Sequence, residues 1–372
     1  MQNNPSLGLS QNKLFKFLKD ADEEVLSYLD SSSVTSFFAP AHISDGTWSY
    51  IKRPAKRLRP AVLLMACGSV GGDIEKAIPA AAGVEVYHTW TLVHDDIIDN
   101  DNLRRGLPTV HSLTSAKGSE EMGLIPEKAN KYGESVAILV GDLQQGWAIN
   151  LFIDSALDRG VDSKVVLRIV AYLQSYVLAN LIRGEALDIQ YGLLDDVASI
   201  SLSEDEVLEM LWLKTGILYE FAGMAGAMIG LDCADFENPE VRALKNFTAN
   251  CGIAFQLQDD ILGLVGSQEE TGKPVGSDVR EGKKTIIVLE GIKNASLNEQ
   301  RKVGKILGNQ NASPEEILEV VEILRARGGV KRCSDLANIY IDKALPFLED
   351  IPESKYKELL YSWAEFMINR NF

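Results

Sequence analysis

Cysteine is scarce. Only Cys67, Cys233, Cys251 and Cys333 occur in 372 residues, and no Cys-x-x-Cys spacing links them. That excludes a disulfide scaffold or a zinc ribbon and leaves the four as reduced core residues. Positive charge is also short, with 37 Lys and Arg against 53 Asp and Glu, a net charge of −16. A nucleic-acid partner needs a broad basic surface, so that class is set aside. Any anionic substrate must instead be caught by local clusters or metal ions. No secretory signal and no run of eighteen apolar residues occurs, which argues for a soluble, cytoplasmic protein without a transmembrane segment. Strand alternation, 20–50-residue repeats and linker-like composition breaks are all missing.

What is present is helical periodicity in a chain that is 46% apolar. Leu14, Phe15, Leu18, Ala21, Val25 and Leu29 mark an amphipathic helix over 12–29, after a frayed first dozen residues. Residues 31–55 are punctuated by Ser, Pro and Gly and are expected as a connection with a short helical turn. Buried helices are expected at 61–68 and 77–99, a loop at 112–133, and a further buried helix from Glu134. Helical stretches then follow at 164–191, 203–231 and 240–263, with a polar loop at 266–284. Five amphipathic stretches, near 285–293, 298–307, 314–327, 330–348 and 354–369, complete the chain. The fold class is therefore all-α: one large helical bundle, with residues 1–30 an N-terminal helix region and 31–372 one domain around a central cavity.

The chain is organised around residues 94–106, where Asp95, Asp96, Asp99 and Asp101 precede Arg104 and Arg105. Asp95 and Asp99 stand one helical turn apart and share a face. Like charges crowded at the end of a buried helix raise each other's pKa, and a hard divalent cation such as Mg²⁺ relieves this. A metal with arginines beside it reads as a diphosphate site. A solvated acidic helix end would explain the aspartates but not the arginine pair.

A second Asp-Asp pair, Asp259-Asp260, also closes an apolar helix, behind Gln256, and is followed by a basic loop at 273–284. If the two helices face each other, the pairs form opposite walls of a metal-filled pocket. Lys214, which precedes Thr215 in an apolar helix, and Lys273 would add charge for one diphosphate. Five basic residues fall within 52–60. Lys56 and Arg59 from this cluster, with His88 two turns before Asp95, would serve a second anion.

These ordered motifs resemble the trans-isoprenyl diphosphate synthases, the polyprenyl synthetase family, from about residue 50 to the C-terminus. The match is carried by Asp95-Asp96-Ile97-Ile98-Asp99, Arg104-Arg105-Gly106-Leu107-Pro108-Thr109, Lys56-Arg57-Leu58-Arg59-Pro60, Gly141-Asp142, Lys214-Thr215, and Gly272-Lys273 through Lys283. The resemblance implies an all-α fold, a homodimer, and head-to-tail condensation of isopentenyl diphosphate with an allylic diphosphate. Mg²⁺, three ions with diphosphate bound, would sit on Asp95, Asp99 and Asp259, supported by Asp96 and Asp260. Arg104, Lys214, Thr215, Lys273 and Lys283 would bind the allylic diphosphate. Lys56, Arg59, His88 and Arg105 would hold isopentenyl diphosphate. In this family bulky residues near the first motif act as a floor for the growing chain, a role that falls here to Tyr87, Trp90 and Thr91. Trp90 lies five residues before Asp95, roughly 7.5 Å along the helix, which favours a C15–C20 product.

Three departures stand out. Pro54-Ala55 replaces two glycines, Gly263 stands where many members carry a third aspartate, and Glu185 replaces a cavity-lining glutamine. A carboxylate at 185 needs a cation, with Arg183 the neighbour expected to supply it. The segment from His111 to Gly141 is also longer than usual. Two other classes compete. A class I terpene cyclase would not need Lys56, Arg59 and His88, and a catalytically silent partner subunit would be expected to lose its aspartate pairs.

Overall fold

Leu14, Leu18, Ala21, Val25 and Leu29 recur every three or four residues and form the buried stripe of the first helix, α1 (Pro5–Ser31). It starts earlier than the expected Asn12. The computed structural model describes residues 5–194, 202–266 and 275–368. The region expected as a connection with a short turn holds a full helix, α2 (Ala41–Ile51), behind a 3₁₀ turn at Ser33–Phe37. α3 (Leu58–Ser69) is buried along almost its whole length, as its apolar run requires. α4 (Ile74–Ile98) is capped by Asp73, whose side chain accepts from the Glu75 N–H, and ends on Asp99.

The largest correction lies at 112–133, expected as a loop and found helical. α5 (Val110–Met122) buries only Val110, Thr114 and Gly118, a narrow stripe of three residues spaced four apart. Its polar composition is thus that of a solvent-facing helix. Gly123, at φ 67°, supplies the left-handed residue that ends it. Pro126 then opens α6 (Pro126–Leu157) eight residues before the expected start. Among the described residues the only strands form a minimal hairpin, β1 (Leu103–Arg104) against β2 (Leu107–Pro108), with Leu103 opposite Pro108.

α7 (Ser163–Tyr172) passes through a π-helical turn, Leu173–Val177, into α8 (Leu178–Gly192). α9 (Glu204–Leu211) likewise passes through a π turn, Trp212–Gly216, into α10 (Ile217–Leu231). α11 (Pro239–Val265) carries the second aspartate pair, and a short helix, α12 (Ser277–Glu281), follows. α13 (Ile286–Lys293), α14 (Leu297–Ile306), α15 (Pro314–Ala326), α16 (Gly329–Ala344) and α17 (Lys355–Ile368) complete the order. Ser203, Ser296 and Ser313 each form a reciprocal cap with a glutamate three residues on, which sets the starts of α9, α14 and α15.

The residues group into two compact units, each interrupted in sequence. Unit 1 takes Met1–Ala171, Met224–Val241 and Glu353–Tyr356. Its core includes Tyr50, Val93, Val110, Val136, Ala137 and Val140, where α4 and α6 pack together. Unit 2 takes Tyr172–Gly223, Arg242–Pro352 and Lys357–Phe372. There Trp363 packs between Tyr219 and Phe247, with ring centroids 5.6 and 5.9 Å away. Cys67, Cys251 and Cys333 are buried, and all four thiols are free, as expected. By length and composition alone, Pro126–Leu157 and Ser163–Gly192 could cross a membrane, where counting apolar runs suggests no candidate. Half of the apolar window in the first and a third of that in the second are buried inside the fold.

Candidate active site

In unit 1 the last turn of α4 delivers Asp95 and Asp96, and Asp99 caps it by donating its N–H to the Asp95 carbonyl at 2.8 Å. The two adjacent aspartates have different jobs. Asp96 is buried. It accepts from the Tyr50 hydroxyl, and Arg104 Nε donates to its two oxygens at 2.7 and 2.9 Å. The hairpin turns Arg104 back for this purpose, and Arg104 Nη2 also reaches Asp95 at 3.4 Å. Burial opposes charge on that guanidinium, but Asp96 and Asp95 outweigh it and hold the group firmly ionised. Asp96 thus orients the arginine and the hydroxyl, while Asp95 is partly buried and Asp99 exposed.

The basic cluster at 52–60 also divides. Arg53 is buried and donates to the carbonyls of Arg104 and Pro108, at 3.1 and 2.6 Å, which staples the hairpin in place. Arg57, at φ 38°, sends its side chain inward to ion-pair with Glu85 at 3.3 Å and with Asp22. Lys56 stays exposed. Arg59 Nη1 donates to His88 Nε2 at 3.1 Å. Burial, then the charges of Arg59, Arg105 and Arg104, push the His88 pKa well below its ordinary value, so the ring is a neutral acceptor. Arg105, left-handed at φ 56°, donates to the Pro54 carbonyl at 3.2 Å. Arginines 57, 59, 104 and 105 therefore gather around Glu85 and His88, with Arg53 close to Arg105. A concentration of guanidinium groups in an acidic chain is suited to a multiply charged anion.

Upstream on the same helix, Tyr87 is fully buried and its ring centroid lies 4.9 Å from that of Trp90. The Thr91 hydroxyl is turned back to the His88 carbonyl at 2.7 Å.

In unit 2 the acidic end of α11 opens onto a cavity of about 360 Å³, lined among others by Asp188, Lys214, Thr215, Asp259, Asp260 and Lys283. Lys214 and Thr215 project from the π turn at Trp212–Gly216, an irregularity often kept at functional sites. The Thr215 hydroxyl donates to Gln256 Oε1 at 2.9 Å, and Gln256 Nε2 donates to Asp260 Oδ1 at 3.1 Å. Lys214 Nζ lies 3.0 Å from Glu185 and 2.6 Å from Asp188. This corrects the expected pairing of Glu185 with Arg183, which instead meets Glu209 at 2.7 Å. On a helix, residues 183 and 185 point to different sides, so adjacency in sequence misleads. Lys283 sits 2.8 Å from Glu281 and 3.9 Å from Asp278. Burial opposes its charge, but Asp278 and Glu281 hold its pKa well above the usual lysine value. Lys273 lies outside the described residues.

Four functional positions went unassigned from sequence. Tyr50, Arg57 and Glu85 support the unit 1 cluster, and the signal for Glu85 was available: a lone acid inside an apolar helix needs a buried cation. Asp278 is the fourth. A Cβ on Gly263 would fall 2.5 Å from Asp278 Oδ2, so the missing third aspartate of the motif leaves room for a carboxylate arriving from α12. Nothing in the linear motif signals that exchange.

The donor set suits Mg²⁺. Asp259, Asp260 and Asp278 line one cavity with hard oxygen donors. Asp260 Oδ2 is buried without a hydrogen-bond partner. Burial and then the Asp278 charge drive the Asp260 pKa well up, a conflict that a bound cation would reverse. Among the described residues, no three His, Cys, Asp or Glu side chains already converge to hold a metal. Mg²⁺ is commonly held by one or two carboxylates, with water and substrate phosphates completing the shell.

The sequence model described as polyprenyl synthetase matches residues 40–324. The chain is 38% identical to a geranylgeranyl diphosphate synthase of Sulfolobus acidocaldarius, over 85% of this chain and 87% of that one. It is 32% identical to a geranylfarnesyl diphosphate synthase of Aeropyrum pernix, over 92% and 97% respectively. Among solved structures, geranylgeranyl pyrophosphate synthase from Corynebacterium glutamicum, complexed with isoprenyl diphosphate and magnesium, superposes with a TM-score of 0.82 at 27% identity. That match covers 96% of this chain and 99% of the other.

Proposed function

We propose, from the premise that the chain belongs to the polyprenyl synthetase family and is a trans-prenyltransferase, that it condenses isopentenyl diphosphate with allylic diphosphates to make geranylgeranyl diphosphate. The observation that carries this reading is the Arg59–His88 contact within the arginine cluster of unit 1. A cyclase ionises one diphosphate and has no use for a separate arginine cluster beside a neutral histidine. Both aspartate pairs are intact, which a silent subunit would not require.

The roles follow the local geometry. Arg59, Arg105, Lys56 and His88 bind the isopentenyl diphosphate, with Arg57 and Glu85 fixing the loop that presents them. In unit 2, Lys214, Thr215 and Lys283, with Lys273 by the family motif alone, bind the allylic diphosphate, and in unit 1 Arg104 beside Asp95 and Asp96 is a further diphosphate donor. In unit 1 Asp95 and Asp99, and in unit 2 Asp259, would hold Mg²⁺. Asp96 positions Arg104, while Asp260 and Asp278 support Asp259. Three Mg²⁺ with diphosphate bound would neutralise the leaving group's charge, a contribution that preorganised cations make electrostatically. The allylic C–O bond breaks with its electron pair leaving on diphosphate. The terminal carbon (C4) of isopentenyl diphosphate bonds to the allylic C1, which leaves a cation on its C3, and a proton leaves C2 for the released diphosphate as the C2=C3 double bond forms. Apolar helix interiors exclude water from the cation. Trp90, backed by Tyr87 and Thr91, limits tail length.

The C20 product is supported by the similarity to geranylgeranyl synthases from Sulfolobus and Corynebacterium. Exposed Ile138, Leu139 and Leu157 on α6 support a homodimer, and a cytoplasmic setting belongs to the same proposal. Incubation with Mg²⁺, isopentenyl diphosphate and dimethylallyl diphosphate, with products sized by mass spectrometry, tests the reading. A C20 diphosphate is expected, and EDTA should abolish its formation. Absence of any condensation with C5, C10 or C15 starters overturns the synthase assignment.

A further inference from the structure

The C-terminal half of α4 carries a relay that the reaction above does not use. Trp90 Nε1 donates to His94 Nδ1, one turn on, at 3.2 Å. His94 Nε2 lies 3.1 Å from the carbonyl oxygen of Ile138 on α6. An indole N–H can only donate and a carbonyl can only accept, so the imidazole must be neutral with its proton on Nε2. Both ring nitrogens are thereby committed, and the ring plane is set from two helices. Tyr87 packs edge-on against the indole, with centroids 4.9 Å apart. Space for the imidazole exists only because residue 141 has no side chain: a Cβ there would lie 2.1 Å from His94 Nε2. The Gly141-Asp142 pair thus acquires a physical role for its first member.

We infer that His94 is a specificity-determining positioning residue: anchored to α6 through Ile138 and Gly141, it holds the Trp90 indole in one rotamer and so sets where chain growth stops. This rests on the reading of Trp90 as the floor. An indole released from His94 can redistribute among the staggered wells of its side-chain torsions, and a floor that moves admits a longer tail.

The test is the product-length distribution, normalised to total product so that a change in overall rate does not enter it. Wild type is compared with Trp90→Ala, Trp90→Phe, His94→Leu, His94→Asn and Gly141→Ala. Trp90→Ala should lengthen the product by one or more C5 units. His94→Leu and Gly141→Ala should shift the distribution the same way, and Trp90→Phe, which keeps a ring but loses the N–H, should do so more weakly. His94→Asn places an amide oxygen near the former Nδ1 and should restore the wild-type distribution, a rescue that a merely space-filling role does not explain. If Trp90→Ala lengthens the product while Trp90→Phe and the His94 and Gly141 variants keep the wild-type distribution, the inference fails and the floor stands. If Trp90→Ala changes nothing, the floor itself is wrong and the inference falls with it. Trp90→Phe leaves His94 and α6 untouched, so it decides the matter even where a His94 variant does not fold.

Discussion

The carboxylate of Asp278 lies over the bare Cα of Gly263, close enough that any Cβ there would meet Oδ2 at 2.5 Å. The acidic group absent from the helix motif is therefore supplied by the short helix α12 that follows. Asp278→Asn should lower kcat by about 100-fold, the scale of losing one preorganised electrostatic group, and should raise the Mg²⁺ concentration needed for half-maximal rate. Gly263→Ala should move in the same direction by displacing the carboxylate. Steady-state kinetics across a Mg²⁺ titration check both.

Glu185 holds Lys214 at 3.0 Å together with Asp188 at 2.6 Å, so a cation assigned to diphosphate is shared between two carboxylates. Replacing Glu185 by Gln leaves Asp188 to orient the ammonium and removes one competitor for it. The KM for the allylic diphosphate should fall about 5-fold, equivalent to ~1 kcal/mol, with KM for isopentenyl diphosphate unchanged. An increase in allylic KM would show that Glu185 is needed to aim Lys214.

Arg57 is buried against Glu85, whose pKa is raised by burial even though Arg57, Arg59 and Arg105 pull it down. Truncating one partner leaves a buried charge alone. Arg57→Met should cost about 3–5 kcal/mol of stability and raise KM for isopentenyl diphosphate. The double change Arg57→Met with Glu85→Gln should recover a substantial part of that stability but not the KM. Urea unfolding and kinetics on the same samples separate the two effects.

His88 gives a pH dependence of definite sign. Burial and then the three nearby arginines hold its folded pKa well below 6.5. Below pH 6.5 the unfolded chain binds a proton that the folded chain refuses, so stability falls as pH drops toward the folded pKa. Above that range the group contributes nothing to the slope. Between pH 7.5 and 5.5, His88→Gln should gain about 1.4 kcal/mol relative to wild type, read from urea midpoints at the two pH values. A difference independent of pH would mean that folding leaves the His88 pKa unshifted, and one of the opposite sign that the ring is charged in the fold.

Helices with a dense apolar stripe were legible from sequence because burial is written into their period: α1 from Leu14 to Leu29, α3, and the long α11. α5 was not, because a helix that buries only Val110, Thr114 and Gly118 has the composition of a loop. Among site residues, Asp95, Asp99, Arg104 and Lys214 stand in motifs whose spacing already implies their chemistry. Tyr50, Arg57, Glu85 and Asp278 stand in none, since each earns its place through a partner far away in the chain.

Apolar periodicity along the chain is enough by itself to make the fold all-helical, and paired carboxylates followed by arginines are enough to suggest a metal-diphosphate site; that the chain is a prenyl synthase comes from its resemblance to the family. Which of two adjacent aspartates faces outward is a matter of tertiary structure. Asp95 and Asp96 are chemically identical, and only the approach of Tyr50 and the returning hairpin buries the second and leaves the first partly exposed. The same holds for Glu185, whose partner is Lys214 across a π turn rather than Arg183 two residues away. Local sequence determines which groups are available, and the packing of distant helices determines which of them meet.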